Sequence, residues 1–191
     1  MAGIGAAKKV DKFISIIGAS IGLATTTFVS QNLGANRPER SFGAIRRALM
    51  LCFVTWLVMA LPLMLTPAFF IRLFTQDGEA VSYGVDMMRV MVPLYFCLSV
   101  NQVYANAVRG FGYSRAVMVL SLIGMVGVRQ LFLIISMSIR YSVLNVYLAY
   151  PVGWVFAGIP VFIFYLIVIR GKKEYSFRAI RELEKDAEEN E

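Results

Sequence analysis

The stretch 141 YSVLNVYLAYPVGWVFAGIPVFIFYLIVI 169 contains 29 residues and no Asp, Glu, Lys or Arg. About 20 consecutive apolar residues, with a rise of about 1.5 Å each, are enough to cross the ~30 Å hydrocarbon core of a bilayer. A helix satisfies its own backbone hydrogen bonds, so it is the element that such a stretch forms in lipid. Residues 141–169 are therefore predicted to be a transmembrane helix.

Four further stretches pass the same length test. In chain order they are 13–36, 48–71, 90–108 and 116–139. Only the last of them contains a charge, Arg129. Together with the final stretch they predict an all-α, polytopic transmembrane bundle of five spans over residues 1–170. Residues 171–191 are predicted to form a hydrophilic cytoplasmic tail.

The composition excludes several classes of protein. Apolar residues make up 58% of the chain and charged residues 16%, against about 45–50% and about 25% in soluble domains. The chain is thus too hydrophobic for a disordered protein and does not fit a soluble enzyme. It has no histidine, and Cys52 and Cys97 both lie in apolar runs, so no metal site, cofactor or catalytic triad is predicted.

The basic residues are distributed as in membrane loops, which argues against a nucleic-acid partner for this chain of net charge +7. The connections are predicted at about 37–47, 72–89, 109–115 and 140. By parity, the basic residues of the first and third connections and of the tail share one side of the bundle. The positive-inside rule then predicts a multi-pass protein of the cell membrane with a cytoplasmic C-terminus.

The start of the sequence does not follow this rule. Five spans place the two ends of the chain on opposite sides, which puts Lys8, Lys9 and Lys12 outside. The first residues, MAGIGAAKKVDKF, resemble neither a signal sequence nor a loop. We therefore expect this chain to be the C-terminal part of a larger bundle.

The first of three motifs lies at the end of the first span. It reads SQNLGANRPER over residues 30–40. Gln31 and Asn32 close the apolar helix, and Gly34 can serve as its C-cap.

The other two motifs lie in the second half of the chain. NAVRGFGYS, at 106–114, places Arg109 at the membrane interface, where Gly110 and Gly112 are expected to give a tight turn. AYPVGW, at 149–154, lies inside the last span.

These motifs, with Pro93 and Arg129 between them, make residues 6–170 similar to the multidrug and toxic compound extrusion (MATE) family. That family has twelve helices in two six-helix lobes, and the resemblance aligns this chain with helices 8 to 12, most of the C-terminal lobe. It implies a secondary active transporter that exports amphipathic or cationic small molecules in exchange for Na⁺ or H⁺. The implied partners are the lipid bilayer, those small molecules, and the missing N-terminal lobe or a second copy.

Ion-coupled exchange needs an ionisable group within the membrane, commonly a carboxylate. Some family members carry an acid in the helix that matches 90–108, but none of the five predicted spans here contains Asp or Glu. We therefore expect the site of the coupling ion to lie outside this chain. Two alternatives remain open: a lipid-linked precursor flippase of the same superfold, which would need a strongly basic cavity, and a membrane assembly subunit that transports nothing.

Arg129 is a charge within a predicted span, where insertion costs about 2.5–3.5 kcal/mol. It should face the bundle interior or a wet cavity. There it could order water or sense a cation, or it could be a structural residue bonded to carbonyls of a partner helix. Both interpretations remain open.

Three amides lie together on the third span and are candidates for a substrate cavity. Asn101 and Gln102 diverge by about 100° on a helix, whereas Gln102 and Asn106 share one face. These amides could offer neutral oxygens to a cation. Hydrogen bonding between helices, worth about 0.6–2 kcal/mol per pair, is the commoner role of such residues.

The remaining candidates are prolines and aromatic residues. Pro93 and Pro151 each remove a helical hydrogen bond, and either could act as a hinge or as a fixed kink. Tyr95 and Tyr104 are candidates for cation–π contacts in a cavity.

Overall fold

The computed structural model of the chain describes residues 2–139 and 142–188, and this part consists of helices joined by short turns. In chain order the elements are α1 (Ala2–Gly34), α2 (Pro38–Leu65), α3 (Pro67–Arg72), α4 (Gly78–Gly110), α5 (Ser114–Leu122), a π-helical segment (Ile123–Val128), α6 (Arg129–Ile139) and α7 (Val143–Glu188). The all-α prediction is confirmed.

Four helical runs in the described residues are long and apolar enough to cross a membrane. They are Pro38–Leu65, Gly78–Gly110, Ser114–Ile139 and Val143–Ile169. Each run contains most of one predicted span. The first predicted span, 13–36, falls almost entirely within α1, which is not among these four. The architecture is that of a multi-pass transmembrane bundle.

The connections between helices are shorter than predicted. The loop predicted at 37–47 is wrong, because α2 begins at Pro38 and the arginines after it belong to its first turns. Proline suits the first position of a helix, where its missing N–H is not needed. The first residue of an uncharged stretch marks where the helix enters the hydrocarbon, not where the helix begins. Arginine is itself a good helix former, so a helix can begin before its last arginine.

The connection predicted at 72–89 is likewise reduced to residues 73–77. Asp77 is the N-cap of α4, and its side-chain oxygen accepts a hydrogen bond from the backbone N–H of Glu79 at 3.0 Å. A carboxylate at this position also interacts favourably with the helix dipole. The residues from Gly78 onward are therefore helical, although they are too polar to count toward an apolar span.

α1 ends in a Schellman turn. The N–H of Asn36 donates to the Leu33 carbonyl at 3.0 Å, and the N–H of Arg37 donates to the Asn32 carbonyl at 2.8 Å. This pattern needs one left-handed residue, which is Asn36 with φ 54°. The capping residue thus lies two positions beyond Gly34, for which that role was predicted. Asparagine reaches the left-handed region because its short polar side chain can bond locally.

α4 ends in the same kind of turn. The N–H of Gly112 donates to the Arg109 carbonyl at 2.9 Å, and the N–H of Tyr113 donates to the Val108 carbonyl at 3.2 Å. Gly112 is the left-handed residue, with φ 96°. The tight turn predicted at this motif is present, and it lets α5 begin at once.

The span predicted at 48–71 is interrupted. α2 ends at Leu65, and both the N–H and the hydroxyl of Thr66 donate to the Pro62 carbonyl, at 2.9 and 3.0 Å. α3 then begins at Pro67. Proline disfavours the α conformation in the residue before it, so the helix stops at this point.

Two later elements also differ from simple α-helical spans. The run over 114–139 changes to π geometry immediately before Arg129. Such segments are rare and occur frequently at functional sites. α7 is one helix to Glu188, so the backbone of the predicted tail continues the last span without a break. The predicted boundary at residue 170 stays a prediction.

α4 is the central helix of the bundle and packs against α1, α2 and α7. Two hydrophobic cores lie along it. One includes Met91 and Tyr95 of the first half of α4, together with Ile71 of α3. The other includes Val103 and Val108 of the second half. The neighbouring helices are thereby held against α4 in both its first and its second half.

α1 and α4 run parallel, since Gly18 faces Ser99 and Gly22 faces Asn106 farther along. The turns that follow α1 and α4 therefore lie at the same end of the bundle. The arginines of these turns share that end, as parity predicted.

Lys9 lies at the opposite end of the bundle. Its ammonium group is 5.5 Å from the centroid of the Phe74 ring, in the turn that follows α3. The misfit noted in the sequence is thus present in the fold, because the first lysines and the arginine-rich turns lie at opposite ends.

Candidate functional site

A polar cluster joins α1 to α4, with Asn106 at its centre. The Thr26 hydroxyl donates to oxygen atoms of Asn106, and Arg109 Nη1 donates to the Asn106 side-chain oxygen at 3.1 Å. The Asn106 side-chain nitrogen donates to the Gln102 carbonyl at 2.8 Å. Asn106 is buried, so the cluster satisfies polar groups that would otherwise be costly in lipid.

Small residues allow this close contact of the two helices. A Cβ atom at Gly22 would overlap the side-chain nitrogen of Asn106. A Cβ atom at Gly110 would lie 2.8 Å from Val29 Cβ and 2.9 Å from the Thr26 carbonyl oxygen. The backbones of α1 and α4 therefore approach each other closely at these two glycines, as small residues permit between membrane helices.

A groove of about 410 Å³ lies between α4 and α7. Its lining is mostly apolar and aromatic and consists of Phe96, Cys97, Val100, Asn101, Tyr104, Trp154, Val155, Gly158, Ile159 and Phe162. Asn101 is 4% exposed, and its side-chain oxygen has no hydrogen-bond partner among the described residues. An unpaired buried acceptor is costly. Asn101 is the amide of the groove lining.

Aromatic rings form one end of the groove. The Tyr104 ring lies 4.8 Å from the Phe162 ring and 4.7 Å from the Tyr165 ring, measured between centroids. Trp154 forms another part of the wall and packs against Tyr95 at 5.4 Å. Aromatic faces attract cations and also pack against apolar ligands. The groove thus suits a ligand that combines both characters.

Arg129 lies outside this groove, at the junction of the π segment with α6. Its guanidinium carbon is 3.8 Å from the centroid of the Tyr150 ring on α7. Its Nε is buried and has no hydrogen-bond partner among the described residues. Arg129 therefore faces a neighbouring helix, and a cation–π contact stabilises its charge.

A stripe of small residues on α7 brings that helix against the π segment. Ala149, Gly153 and Ala157 follow one another at intervals of four, and all three are buried. A Cβ atom at Gly124 would overlap the backbone of Ala157. A Cβ atom at Gly153 would lie 3.3 Å from the Cβ of Arg129. The stripe therefore fixes the position of Arg129 relative to α7.

Within residues 2–139 and 142–188, no group of three or more His, Cys, Asp or Glu side chains is placed to hold a metal ion. The α4–α7 groove is lined by neutral side chains. It can bind an amphipathic molecule through ring contacts and one amide oxygen.

Comparison with known proteins decides the family. The family model MatE matches residues 1–135, which is more than half of the chain. This chain belongs to the MatE family. The family resemblance inferred from the sequence motifs is thus confirmed.

A curated relative agrees with this membership. The chain is 20% identical over 173 residues to the probable multidrug resistance protein YoeA of Bacillus subtilis (strain 168). The match covers 90% of the chain but 37% of that relative, so the chain spans little more than a third of its length. No solved structure matches the chain.

The fold separates the residues that the sequence analysis grouped as cavity candidates of this MatE chain. Asn101 and Tyr104 line the groove. Gln102 and Asn106 instead bond within the α1–α4 cluster. Tyr95 is in the core, 3% exposed. The divergence expected for adjacent helical residues is thus present, although the functional roles of these residues stay predictions.

The two hinge candidates lie inside continuous helices, Pro93 in α4 and Pro151 in α7. Sequence reasoning missed eight of the ten groove residues, among them Cys97, Trp154 and Phe162. Their spacing gave a partial signal, since Cys97, Asn101 and Tyr104 follow at four and three residues along one helical face. The contribution of α7 could be found only from its packing on α4.

Proposed function

We propose that this chain forms part of the C-terminal lobe of a secondary active multidrug exporter in the cell membrane. The exporter would carry amphipathic or cationic compounds out of the cell in exchange for Na⁺ or H⁺. The second half of the pathway would come from an N-terminal lobe or from a second copy of the chain. In this arrangement the C-terminus is cytoplasmic.

The observation that carries this proposal is the Asn101 side-chain oxygen in the α4–α7 groove. It is a buried acceptor without a partner in the described part of the chain, and it lies among aromatic and aliphatic side chains. An organic ammonium or another N–H donor would satisfy this oxygen once the amide turns toward the groove, while its apolar part packs against the rings.

The depth of Asn101 also fits a transport site. It lies nine residues before Gly110, the last residue of α4. At a rise of about 1.5 Å per residue this is about 14 Å, or roughly half of the hydrocarbon thickness. Transporters of this general kind bind their substrates near the bilayer midplane.

The coupling site is proposed to lie outside this chain. None of the predicted spans contains an acid, and the groove lining contains neither acid nor base. The lack of Lys and Arg in the lining also argues against the flippase alternative, since a pyrophosphate headgroup needs basic partners. The groove would then contribute to drug binding and the missing segment to ion coupling.

The test is ethidium efflux from proteoliposomes that contain the native, full-length gene product, under imposed Na⁺ or pH gradients. Asn101→Leu should lower efflux about tenfold, the cost of one lost polar contact in a dry site. The control is Gln130→Leu, which removes an exposed amide on α6. Protein abundance and thermal unfolding are measured in parallel.

A second variant tests the groove by volume. A Cβ atom at Gly158 would lie 3.5 Å from Asn101 Cβ, an ordinary contact, so Gly158→Ala should fold and partly cover the Asn101 amide. Ethidium efflux should then fall while unfolding temperature is unchanged. Wild-type efflux in both groove variants, or no gradient-dependent efflux by the wild type, would contradict the proposal.

A further inference from the structure

A second groove, of about 500 Å³, runs between α1 and α2 on the outer surface of the bundle. Its lining consists of Ser20, Ile21, Ala24, Thr25, Phe28, Ala44, Arg47, Ala48 and Leu51. The small side chains of Ala24, Ala44 and Ala48 leave the space open. Phe28 and Leu51 form its higher walls and are 40% and 52% exposed.

The hydroxyl groups in this groove are already bonded within α1. Ser20 donates to the Ile16 carbonyl at 2.9 Å, and Thr25 donates to the Ile21 carbonyl at 2.8 Å. Their polarity is therefore satisfied, and the surface they present is largely apolar. Arg47 is the charged residue of the lining.

Arg47 has donor capacity to spare. Its Nε donates to the Gly43 carbonyl of the same helix at 3.2 Å. A guanidinium has five N–H donors, so four remain on the two Nη atoms. The side chain is exposed, and no carboxylate in the described part of the chain pairs with it.

The position of Arg47 along α2 matches a lipid headgroup. It is the last charge before the uncharged stretch 48–71, so it marks the boundary between the polar interface and the hydrocarbon. Arg40 lies seven residues earlier, on the same face of α2. Four arginines and one glutamate occupy residues 37–47, so this end of the hairpin is strongly positive.

We infer that the α1–α2 groove binds an anionic phospholipid from the leaflet at this end of the bundle. The phosphate would accept hydrogen bonds from the Arg47 guanidinium, with Arg40 adding to the local positive potential. The upper part of one acyl chain would lie over Ala24, Ala44 and Ala48. This combination of an apolar groove and an interfacial arginine is complementary to such a lipid, and the inference does not depend on what the protein transports.

The test uses the full-length native protein, purified in detergent and mixed with dioleoylphosphatidylglycerol or dioleoylphosphatidylcholine. Retained lipid is counted by native mass spectrometry, and unfolding temperature is followed by fluorescence. Phosphatidylglycerol should bind more tightly and raise the unfolding temperature by about 3–5 °C more than phosphatidylcholine. Arg47→Gln should weaken phosphatidylglycerol binding about tenfold, the effect of one charge-assisted hydrogen bond.

Two controls locate the binding site. Arg72→Gln removes an arginine from the opposite end of the bundle and should leave phosphatidylglycerol binding unchanged. Ala48→Trp fills the groove but keeps Arg47, and it should also reduce binding. Glycerol phosphate, added alone, should give no stabilisation, because the acyl chain supplies much of the affinity.

Four outcomes would overturn the inference. The first is equal binding of the two lipids, and the second is an unchanged preference in Arg47→Gln. The third is stabilisation by glycerol phosphate that equals that by the lipid, which would indicate a phosphate site. A cross-link in native membranes from Ala48→Cys to another protein segment would also contradict it, by showing that protein covers the groove.

Discussion

The Thr26 hydroxyl on α1 lies 2.9 Å from the backbone carbonyl oxygen of Asn106 on α4 and 3.1 Å from the Asn106 side-chain oxygen. One small side chain therefore reaches both acceptors of a residue 80 positions away in the chain. It can do so because Gly22, one turn earlier, leaves room for the Asn106 amide. The contact ties together the two parallel helices that carry the arginine-rich turns.

Loss of this hydroxyl should weaken the α1–α4 contact. We expect Thr26→Val to lower the free energy of unfolding by about 0.6–1.7 kcal/mol, the range for hydrogen bonds between membrane helices. Thr27→Val is the matched control, because the Thr27 hydroxyl is exposed and donates within α1 to the Leu23 carbonyl at 3.3 Å. Unfolding in mixed micelles measures both variants, and equal effects would disprove the special role of Thr26.

Gly124 and Gly127 provide a comparison within one π segment. A methyl group at Gly124 would overlap the Ala157 backbone, which cannot move aside without displacing α7. Nothing lies within 4 Å of the corresponding position at Gly127. We expect Gly124→Ala to lower protein abundance and unfolding temperature, at a cost of about 1–3 kcal/mol. Gly127→Ala should resemble the wild type, and the reverse order would show that the two helices pack differently.

Variants of Arg129 and of its contact residue Tyr150 can distinguish a structural role of this arginine from a role in transport. Tyr150→Leu should reduce the free energy of unfolding by about 1–2 kcal/mol, whereas Tyr150→Phe, which keeps an aromatic face, should lose less. For Arg129→Ala, loss of protein from the membrane would indicate a structural residue. Normal abundance with abolished efflux would indicate a role in transport. Abundance is measured by immunoblot and efflux in proteoliposomes.

The two cysteines report on access to the α4–α7 groove. Cys97 lines the groove and is partly exposed, whereas Cys52 lies in the core and is 1% exposed. N-ethylmaleimide in native membranes should therefore modify Cys97 faster than Cys52. Ethidium should slow the modification of Cys97 if it occupies the groove. Peptide mass spectrometry measures both rates, and equal reactivity of the two thiols would argue against an accessible groove.

Four of the five predicted spans correspond to helical runs that are long and apolar enough to cross a membrane. The criterion is chemical, because in lipid a helix satisfies the backbone hydrogen bonds of a long uncharged run. It predicted the helix ends poorly. α2 begins at Pro38, nine residues before Arg47, which is the last charge before the uncharged stretch. The arginines do not end the helix, so charge did not reveal where it starts. The break at Thr66 escaped detection because both flanking stretches are apolar.

The candidate site was predictable only in part. That Asn101 and Gln102 face different ways follows from helical geometry, but which of them meets α1 and which meets α7 depends on how three helices pack. The π segment before Arg129 has no sequence signature beyond its glycines. The left-handed residue is Asn36 and not Gly34, which the sequence had suggested. The next helix begins at Pro38, and this start sets where the chain must turn.

The small-residue stripe Ala149–Gly153–Ala157 has a mechanical consequence. Alanine and glycine have no side-chain rotamers, so they cannot adjust when the angle between α7 and the π segment changes. A bend of α7 at Pro151 would therefore pull its backbone away from the π segment. We therefore expect this stretch of α7 and the π segment to move as a single block in any conformational change of the bundle. Bending would then fall to Pro93 on α4, which lies within the first core, between Val92 and Tyr95.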